Sequence, residues 1–138
     1  MIKIPKQKII ISIWVIVTII TALKQFLVSQ KALLINDFLN TKINNYLIFK
    51  NVFFHTLNEQ NLYAEYPNLY FDHNHYGPIF SIIIAPFALL PDAIGILFWC
   101  LLNAIVLIYA ITKLPLSKEK NNLLLIICLN EFITSILG

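Results

Sequence analysis

The sequence contains no arginine, since all ten basic residues are lysine. Lysine offers a point charge, whereas bidentate phosphate binding uses the planar fork of arginine. The net charge of +3 is small, and the loops lack the dense basic patches of nucleic-acid-binding proteins. Glycine is also scarce, with three residues, so a glycine-rich loop around a nucleotide phosphate is not expected. These absences argue against nucleic acid as a partner.

Charge of either sign is scarce as well. Only 12% of the residues are charged and 59% are hydrophobic, whereas about a quarter of a soluble domain is charged. The mean hydropathy is +0.76. The 138 residues accommodate three or four spans of roughly 20 residues each. The composition therefore predicts an all-α, polytopic membrane protein with three to four transmembrane helices.

Metal-ligand spacing is missing too. The two cysteines, Cys100 and Cys128, lie in separate apolar runs, where a thiol behaves as a small hydrophobic group. We prefer this interpretation to a disulfide or a metal site. Neither a Cys-x-x-Cys nor a His-x-x-x-His pair occurs, and we expect no metal and no cofactor.

The first hydrophobic run predicts a membrane anchor. Residues 1–8 carry three lysines, and the uncharged run that follows reaches spanning length as a helix over 9–28 if Lys24 snorkels. No small-residue cleavage site follows it. The positive-inside rule places 1–8 in the cytoplasm, which predicts a multi-pass protein of the inner (plasma) membrane.

Later runs predict a short helix over 79–90, a full span over 93–112 and a last helix over 123–138. If 79–90 crosses the membrane, the lysine-bearing linker 113–122 lies outside, against the positive-inside rule. If 79–90 is re-entrant or interfacial, the linker lies inside. Both topologies stay open, and crossing is the one that we adopt.

Between the anchors, 29–78 is predicted to be an extracytoplasmic loop because its charges nearly balance. The stretch 44–91 holds five of the six tyrosines, all three histidines and three of the seven acids. Apolar residues at helical spacing from Ile43 to Leu57 predict an amphipathic helix in the membrane interface. Polar chemistry concentrated between membrane anchors indicates where the function lies.

Short motifs follow one another through this region. They are Asn45-Tyr46-Leu47-Ile48-Phe49, Asn61-Leu62-Tyr63, Tyr76-Gly77-Pro78 and Pro86-Phe87-Ala88-Leu89-Leu90-Pro91, followed by Trp99. Their order and spacing resemble glycosyltransferase family 87, polytopic membrane enzymes of the GT-C architecture. The family is similar to mannosyltransferases that use polyprenol-phosphate-mannose. The resemblance extends over roughly residues 10–138, the first third of a typical member.

The resemblance implies a hexosyltransferase that acts at the extracytoplasmic face. A mannose-like hexose would pass from a polyprenyl-phosphate sugar to a glycan or lipid acceptor. The partners would be the lipid bilayer, the lipid-linked phosphosugar donor and that acceptor. Such enzymes draw on later helices and loops, so the resemblance also predicts that this chain is an incomplete, inactive N-terminal fragment of a larger GT-C-like domain.

In this class a loop carboxylate takes the proton from the acceptor hydroxyl. The residue that matches the family's loop aspartate is Asn45, whose amide cannot accept a proton at neutral pH but can orient a hydroxyl. Asp37 and Asp72 are therefore the candidate bases, and the alternative is that both are solvated loop acids. The predicted catalytic set is Asp37, Asp72 and Asn45.

The candidates for substrate binding lie in the same loop. Lys50 would meet a lipid phosphate as a point charge or snorkel at the interface. His75 would bind a phosphate or an acceptor hydroxyl, or be a surface histidine. Tyr63 and Tyr76 would stack on sugar or anchor the loop, and Tyr46 belongs to the first motif.

Two other classes of membrane protein fit the sequence less well. A small four-helix transporter would need a carboxylate inside the first helix, and 9–23 has none. A non-catalytic membrane protein would leave the tyrosine-rich loop unexplained.

The orientation is testable by labelling cysteines placed at Asn40 and Asn61 after Cys100 and Cys128 are replaced by serine. We expect both sites to react with a membrane-impermeant maleimide in intact cells or spheroplasts, because both lie in the predicted external loop. Protection of both sites until the cells are lysed would reverse the predicted orientation.

Overall fold

The computed structural model describes residues 6–137, in which every regular element is helical. Residues 1–5 of the predicted cytoplasmic segment 1–8, and residue 138 at the predicted end of the last helix, lie outside the described part. The helices in chain order are α1 Gln7–Leu34, α2 Asn44–Leu57, α3 Pro78–Ala88, α4 Asp92–Thr112 and α5 Lys118–Leu137, with a 3-10 turn at Phe38–Asn40. The all-α class predicted from the sequence is confirmed.

Two of the described helices, α1 and α4, are long and apolar enough to cross a membrane. α1 has 28 residues and α4 has 21, so at about 1.5 Å per residue each matches or exceeds a hydrocarbon core of roughly 30 Å. The chain is a helical membrane protein. The sequence predicted three to four spans, whereas the described residues 6–137 contain two candidate spans.

The shorter helices explain the difference. α3 has 11 residues, about 16 Å of helix, and reaches only half way across the hydrocarbon core. α5 has 20 residues, but it includes the charged residues Lys118, Glu119, Lys120 and Glu131 and is not among the candidate spans. The crossing of the membrane by 79–90 stays a prediction.

Two helix ends differ from the expected positions. α1 continues past residue 28 to Leu34, since no proline or glycine interrupts this stretch. α5 begins at Lys118, inside the linker expected over 113–122. Ser117 accounts for the early start, because its Oγ accepts a hydrogen bond from the backbone N–H of Lys120 at 3.4 Å, as a helix N-cap does.

One face of α1, in which polar and small residues follow Ile10 and Trp14, packs against the other helices. Its buried residues recur every three or four positions: Ile10, Trp14, Thr18, Thr21, Ala22, Gln25, Ser29 and Ala32. Small and polar residues allow close helix contact in lipid. Trp14 Nε1 donates to the Leu125 carbonyl at 2.9 Å and Gln25 Nε2 to the Ile136 carbonyl at 3.3 Å, so two side chains of α1 bind α5 directly.

The opposite face of α1 is apolar and exposed, as at Ile9, Ile13, Ile16 and Ile20. α4 has a similar face, with Phe98, Ile105, Val106 and Tyr109 exposed. An apolar outer face is the arrangement expected in a bilayer, where no water contacts that face.

Helix α2 is attached to the end of α3 and the start of α4. Tyr46 Oη donates to the Phe87 carbonyl at 3.1 Å. The Tyr46 hydroxyl fits because residue 95 is glycine: a Cβ there would overlap both Tyr46 Oη and the Phe87 carbonyl oxygen. Lys50 Nζ lies 2.6 Å from Asp92 Oδ1, and Asp92 lies in the first turn of α4, where a negative charge is favourable.

The loop from 58 to 77 has no regular helix, and hydrogen bonds hold it at several points. The buried Asn74 side chain donates to the carbonyls of Leu62 and Tyr76 at 3.1 and 2.8 Å, and accepts from the Tyr76 N–H at 2.9 Å. Asn44, at the start of α2, donates to the Phe71 carbonyl and accepts from its N–H, both at 2.7 Å. These bonds order the loop against α2.

The close approach at Gly95 predicts that Gly95→Ala destabilises the protein by about 1–3 kcal/mol, the usual cost of overpacking. The overlap involves a backbone oxygen, which cannot rotate away. Thermal unfolding in detergent measures the effect. Gly77→Ala is the matched control, because its Cβ would meet only Tyr63 Oη at 3.9 Å. Equal melting temperatures for the two variants would contradict the prediction.

Candidate functional site

The 3-10 turn after α1 and the loop before α3 enclose a cleft of about 440 Å³. Small-ligand sites occupy roughly 300–1,000 Å³. The cleft is lined by Asn36, Asp37, Phe38, Leu39, Glu65, Tyr66, Pro67, Tyr70, Phe71, Asp72 and His73. Asp37 and Asp72, the two acids predicted as candidate bases, thus lie on one cleft although they are far apart in the sequence.

Asp37 is held by the 3-10 turn that it begins. Its carboxylate accepts from the Asn40 backbone N–H at 3.3 Å and from Asn40 Nδ2 at 2.7 Å. The residue is half-buried. The two bonds to one residue orient the carboxylate at the wall of the cleft.

Asp72 adopts a left-handed conformation with φ 79°, which aspartate tolerates better than most residues. Its carboxylate accepts from the His73 backbone N–H at 2.7 Å. This bond, then the His73 side chain and the charges of His75 and His73, hold the pKa of Asp72 below its usual value. A carboxylate with a lowered pKa is fully ionised at neutral pH, but it is a weaker base.

His73 joins two of the acids. Its Nε2 lies 3.2 Å from Glu65 Oε1 and its Nδ1 lies 3.5 Å from Asp72 Oδ1. The predicted site includes His75 but neither His73 nor Glu65, although His73 and His75 flank Asn74 in the sequence. The predicted His75 is exposed and is not part of the cleft lining.

An aromatic wall backs the cleft. The ring of His55, on α2, lies 3.8 Å from the Tyr66 ring, centroid to centroid. His55 is buried, and neither of its nitrogens has a hydrogen-bond partner within residues 6–137. Burial lowers the pKa of His55, so it is neutral. Burial and the neighbouring Tyr66 raise the pKa of Tyr70 to about 12, so its hydroxyl keeps its proton.

A second cavity, a groove of about 740 Å³, lies between α2, α4 and α5. Three predicted site residues line it, namely Asn45, Tyr46 and Tyr76. The rest of its lining is mostly apolar: Lys42, Ile43, Phe49, Phe80, Ile96, Trp99, Cys100, Asn103, Val106, Leu107, Ala110, Phe132, Ser135 and Ile136. The structure therefore divides the predicted site, with the acids on the cleft and Asn45 on the groove.

The segment between α1 and α2 separates the two cavities. Residues 36–39 line the cleft, and residues 42, 43, 45 and 46 line the groove. The backbone N–H of Lys42 donates to Ser29 Oγ of α1 at 2.8 Å. This bond anchors the segment, and with it one wall of each cavity, to the first membrane helix.

Tyr76 is engaged with other aromatic rings at the groove. It stacks on Phe80 with centroids 4.6 Å apart and meets Phe49 edge-on at 5.0 Å. Phe49 also contacts Phe80 at 5.2 Å and Trp99 at 5.8 Å. Edge-to-face contacts of this kind stabilise aromatic clusters, so Tyr76 forms a wall of the groove. Tyr63 is 57% exposed and lines neither cavity.

The lysine expected to meet a phosphate is engaged elsewhere. Lys50 forms the ion pair with Asp92, with the two side chains 23% and 30% exposed, and lines neither cavity. Lys42 is exposed and lines the groove, and no carboxylate of residues 6–137 lies within 4 Å of its ammonium group. The cation available to a ligand in the groove is therefore Lys42.

The buried, neutral His55 predicts a loss of stability in acid. Because its pKa is lowered by folding, the unfolded chain takes up a proton that the folded chain resists, and stability falls as the pH drops below about 6.5. His55→Phe should remove this contribution, and the exposed His75→Gln should not. Chemical denaturation in detergent between pH 5 and pH 8 measures both. The same acid slope in His55→Phe as in the unaltered protein would disprove the assignment.

Comparison with protein families finds that a model of glycosyltransferase family 87 matches residues 74–135. This confirms the resemblance predicted from the sequence, over the end of the loop, α3, α4 and most of α5. His75, Tyr76 and Trp99 lie inside the matched segment, whereas Asp37 and Asp72 precede it. Comparisons with curated proteins and with solved structures find no match. The matched segment is less than half of the chain, and over that segment the chain is similar to a family of glycosyltransferases.

Proposed function

We propose that this chain forms the substrate-binding N-terminal part of a membrane glycosyltransferase of the GT-C architecture. The enzyme transfers a mannose-like hexose from a polyprenyl-phosphate sugar to an extracytoplasmic glycan or lipid acceptor. The observation that carries the proposal is the pair of cavities beside the segment from 36 to 46. One is acidic and the other apolar, in a chain that matches glycosyltransferase family 87.

The groove suits the polyprenyl chain of the donor. Its α4 lining recurs at helical spacing along one face, at Ile96, Trp99, Cys100, Asn103, Val106, Leu107 and Ala110. From the first to the last of these, the face extends about 21 Å along the helix axis. Because α4 is a candidate membrane span, an isoprenoid chain in the groove would lie alongside it in the bilayer.

Lys42 is suited to the donor phosphate. It lines the groove on the segment that also borders the cleft, and its ammonium group is not paired with a carboxylate of the described residues. A lysine binds phosphate as a point charge. Lys42 thus takes the role that the sequence suggested for Lys50.

The cleft suits the acceptor. As the acceptor oxygen attacks the anomeric carbon, its proton passes to a carboxylate, the bond from that carbon to the phosphate oxygen breaks, and polyprenyl phosphate leaves. Asp37 is half-buried and oriented by Asn40, whereas His73 lowers the pKa of Asp72 and weakens it as a base. We therefore assign Asp37 as the general base and Asp72 as the residue that orients the acceptor.

The orientation is part of the proposal. The N-terminus lies in the cytoplasm, and the segment between α1 and α3 lies outside the inner (plasma) membrane, where lipid-linked sugars would reach both cavities. The lysines near the start of the chain support this arrangement.

The proposal predicts that Asp37→Asn, in the full-length enzyme, lowers transfer from a polyprenyl-phosphate sugar by about 10²–10⁴-fold, the contribution of a positioned base. Asp72→Asn should raise the KM for the acceptor by a larger factor than it lowers kcat. Transfer of radiolabelled sugar in liposomes measures both.

Glu59→Gln is the matched control, since Glu59 is exposed and lines neither cavity. It should retain normal transfer. If Asp37→Asn also retains near-normal turnover, the base lies elsewhere in the protein and the assignment of Asp37 is wrong.

A further inference from the structure

The charges of the cleft have one sign. Its lining includes the carboxylates of Asp37, Glu65 and Asp72, and the imidazole of His73 is the one basic side chain among the described lining residues. His73 lies between Glu65 and Asp72, so its charge, when present, is shared by two acids. No lysine of residues 6–137 lines the cleft.

We infer that the acceptor group bound in this cleft is an uncharged carbohydrate, and that the cleft discriminates against uronates and phosphate-bearing headgroups. The inference rests on the proposed function, since it specifies the acceptor of the same site. It also narrows the choice between glycan and lipid, because the part of the acceptor that enters the cleft must be neutral sugar even when a lipid carries it.

The lining has the groups that bind neutral sugars. Tyr66, Phe71 and Pro67 offer apolar surface to the C–H faces of a sugar ring. Ionised carboxylates accept hydrogen bonds from sugar hydroxyls, and such charge-assisted bonds are short and strong.

Tyr70 provides an independent observation. It lines the cleft, its side chain is 1% exposed, and its hydroxyl has no hydrogen-bond partner within the described chain. A buried hydroxyl is rarely left unpaired. A sugar hydroxyl, which donates and accepts, would complete the bonding of this group.

An anion in the cleft would meet the three carboxylates at short range. Repulsion between like charges a few ångströms apart near a protein surface corresponds to a loss in affinity of about tenfold or more. The Asp72 and Glu65 side chains are 58% and 74% exposed, so salt should reduce this discrimination. The available cation, Lys42, lines the groove instead, so no lysine of the cleft lining offsets the charge of an anion there.

The test compares methyl α-mannopyranoside with the corresponding uronate, which differs by a carboxylate at C6. Binding of each to the protein in nanodiscs is measured by saturation-transfer-difference NMR and titration at low and high salt. We expect the neutral sugar to bind about tenfold or more tightly at low salt, with a smaller ratio at high salt. Glu65→Gln should reduce the ratio of the affinities for the neutral sugar and the uronate, and the matched control Glu59→Gln should leave that ratio unchanged.

Three results would overturn the inference. The uronate could bind as tightly as the neutral sugar or more tightly, or the neutral sugar could show no saturation transfer. The third is a ratio of the two affinities that Glu65→Gln leaves unchanged. A sugar-transfer assay distinguishes a failure of this inference from a failure of the proposed function. Transfer from a polyprenyl-phosphate donor to anionic and neutral acceptors at equal rates would refute the inference alone. Selective binding of the neutral sugar without any transfer from that donor would support the inference and refute the proposed reaction.

Discussion

The 2.6 Å ion pair between Lys50 and Asp92 joins α2 to the first turn of α4, and both cavities depend on where it holds α2. The bond from Tyr46 to the Phe87 carbonyl and the space left by Gly95 complete the attachment. One end of α2 forms a wall of the groove, and His55, near its other end, lies behind the Tyr66 ring of the cleft. A shift of this helix would alter both cavities together.

The division of charge between the cavities follows from that packing. Lys50 is neutralised by Asp92, which leaves Lys42 as the cation on the apolar groove. The acids of the cleft are brought together by the 3-10 turn and the loop, with His73 between two of them. The two cavities therefore differ in charge, since an anion would be repelled by the carboxylates of the cleft and attracted by Lys42 at the groove.

Sequence reasoning identified Asp37 and Asp72 as candidates, and the structure places both on one cleft. It did not predict that His73 contacts both Glu65 and Asp72, because a contact between loop residues leaves no periodic signal in the chain. It named Lys50 as the phosphate-binding candidate and did not consider Lys42. The helical spacing places Lys50 on the amphipathic helix, but spacing carries no information about an acid on another helix, such as Asp92, that takes up its charge.

The sequence by itself determined the class of the protein: a helical membrane protein with a polar loop between apolar runs, similar to glycosyltransferase family 87. Hydropathy and motif order are properties of neighbouring residues, so they can be recognised along the chain. Only the tertiary structure decided that two candidate spans carry the described chain, that the predicted site divides into a cleft and a groove, and that Lys42 is the available cation. These depend on contacts between residues distant in sequence, such as Asn44 with Phe71 and Lys50 with Asp92, which form only when the helices pack.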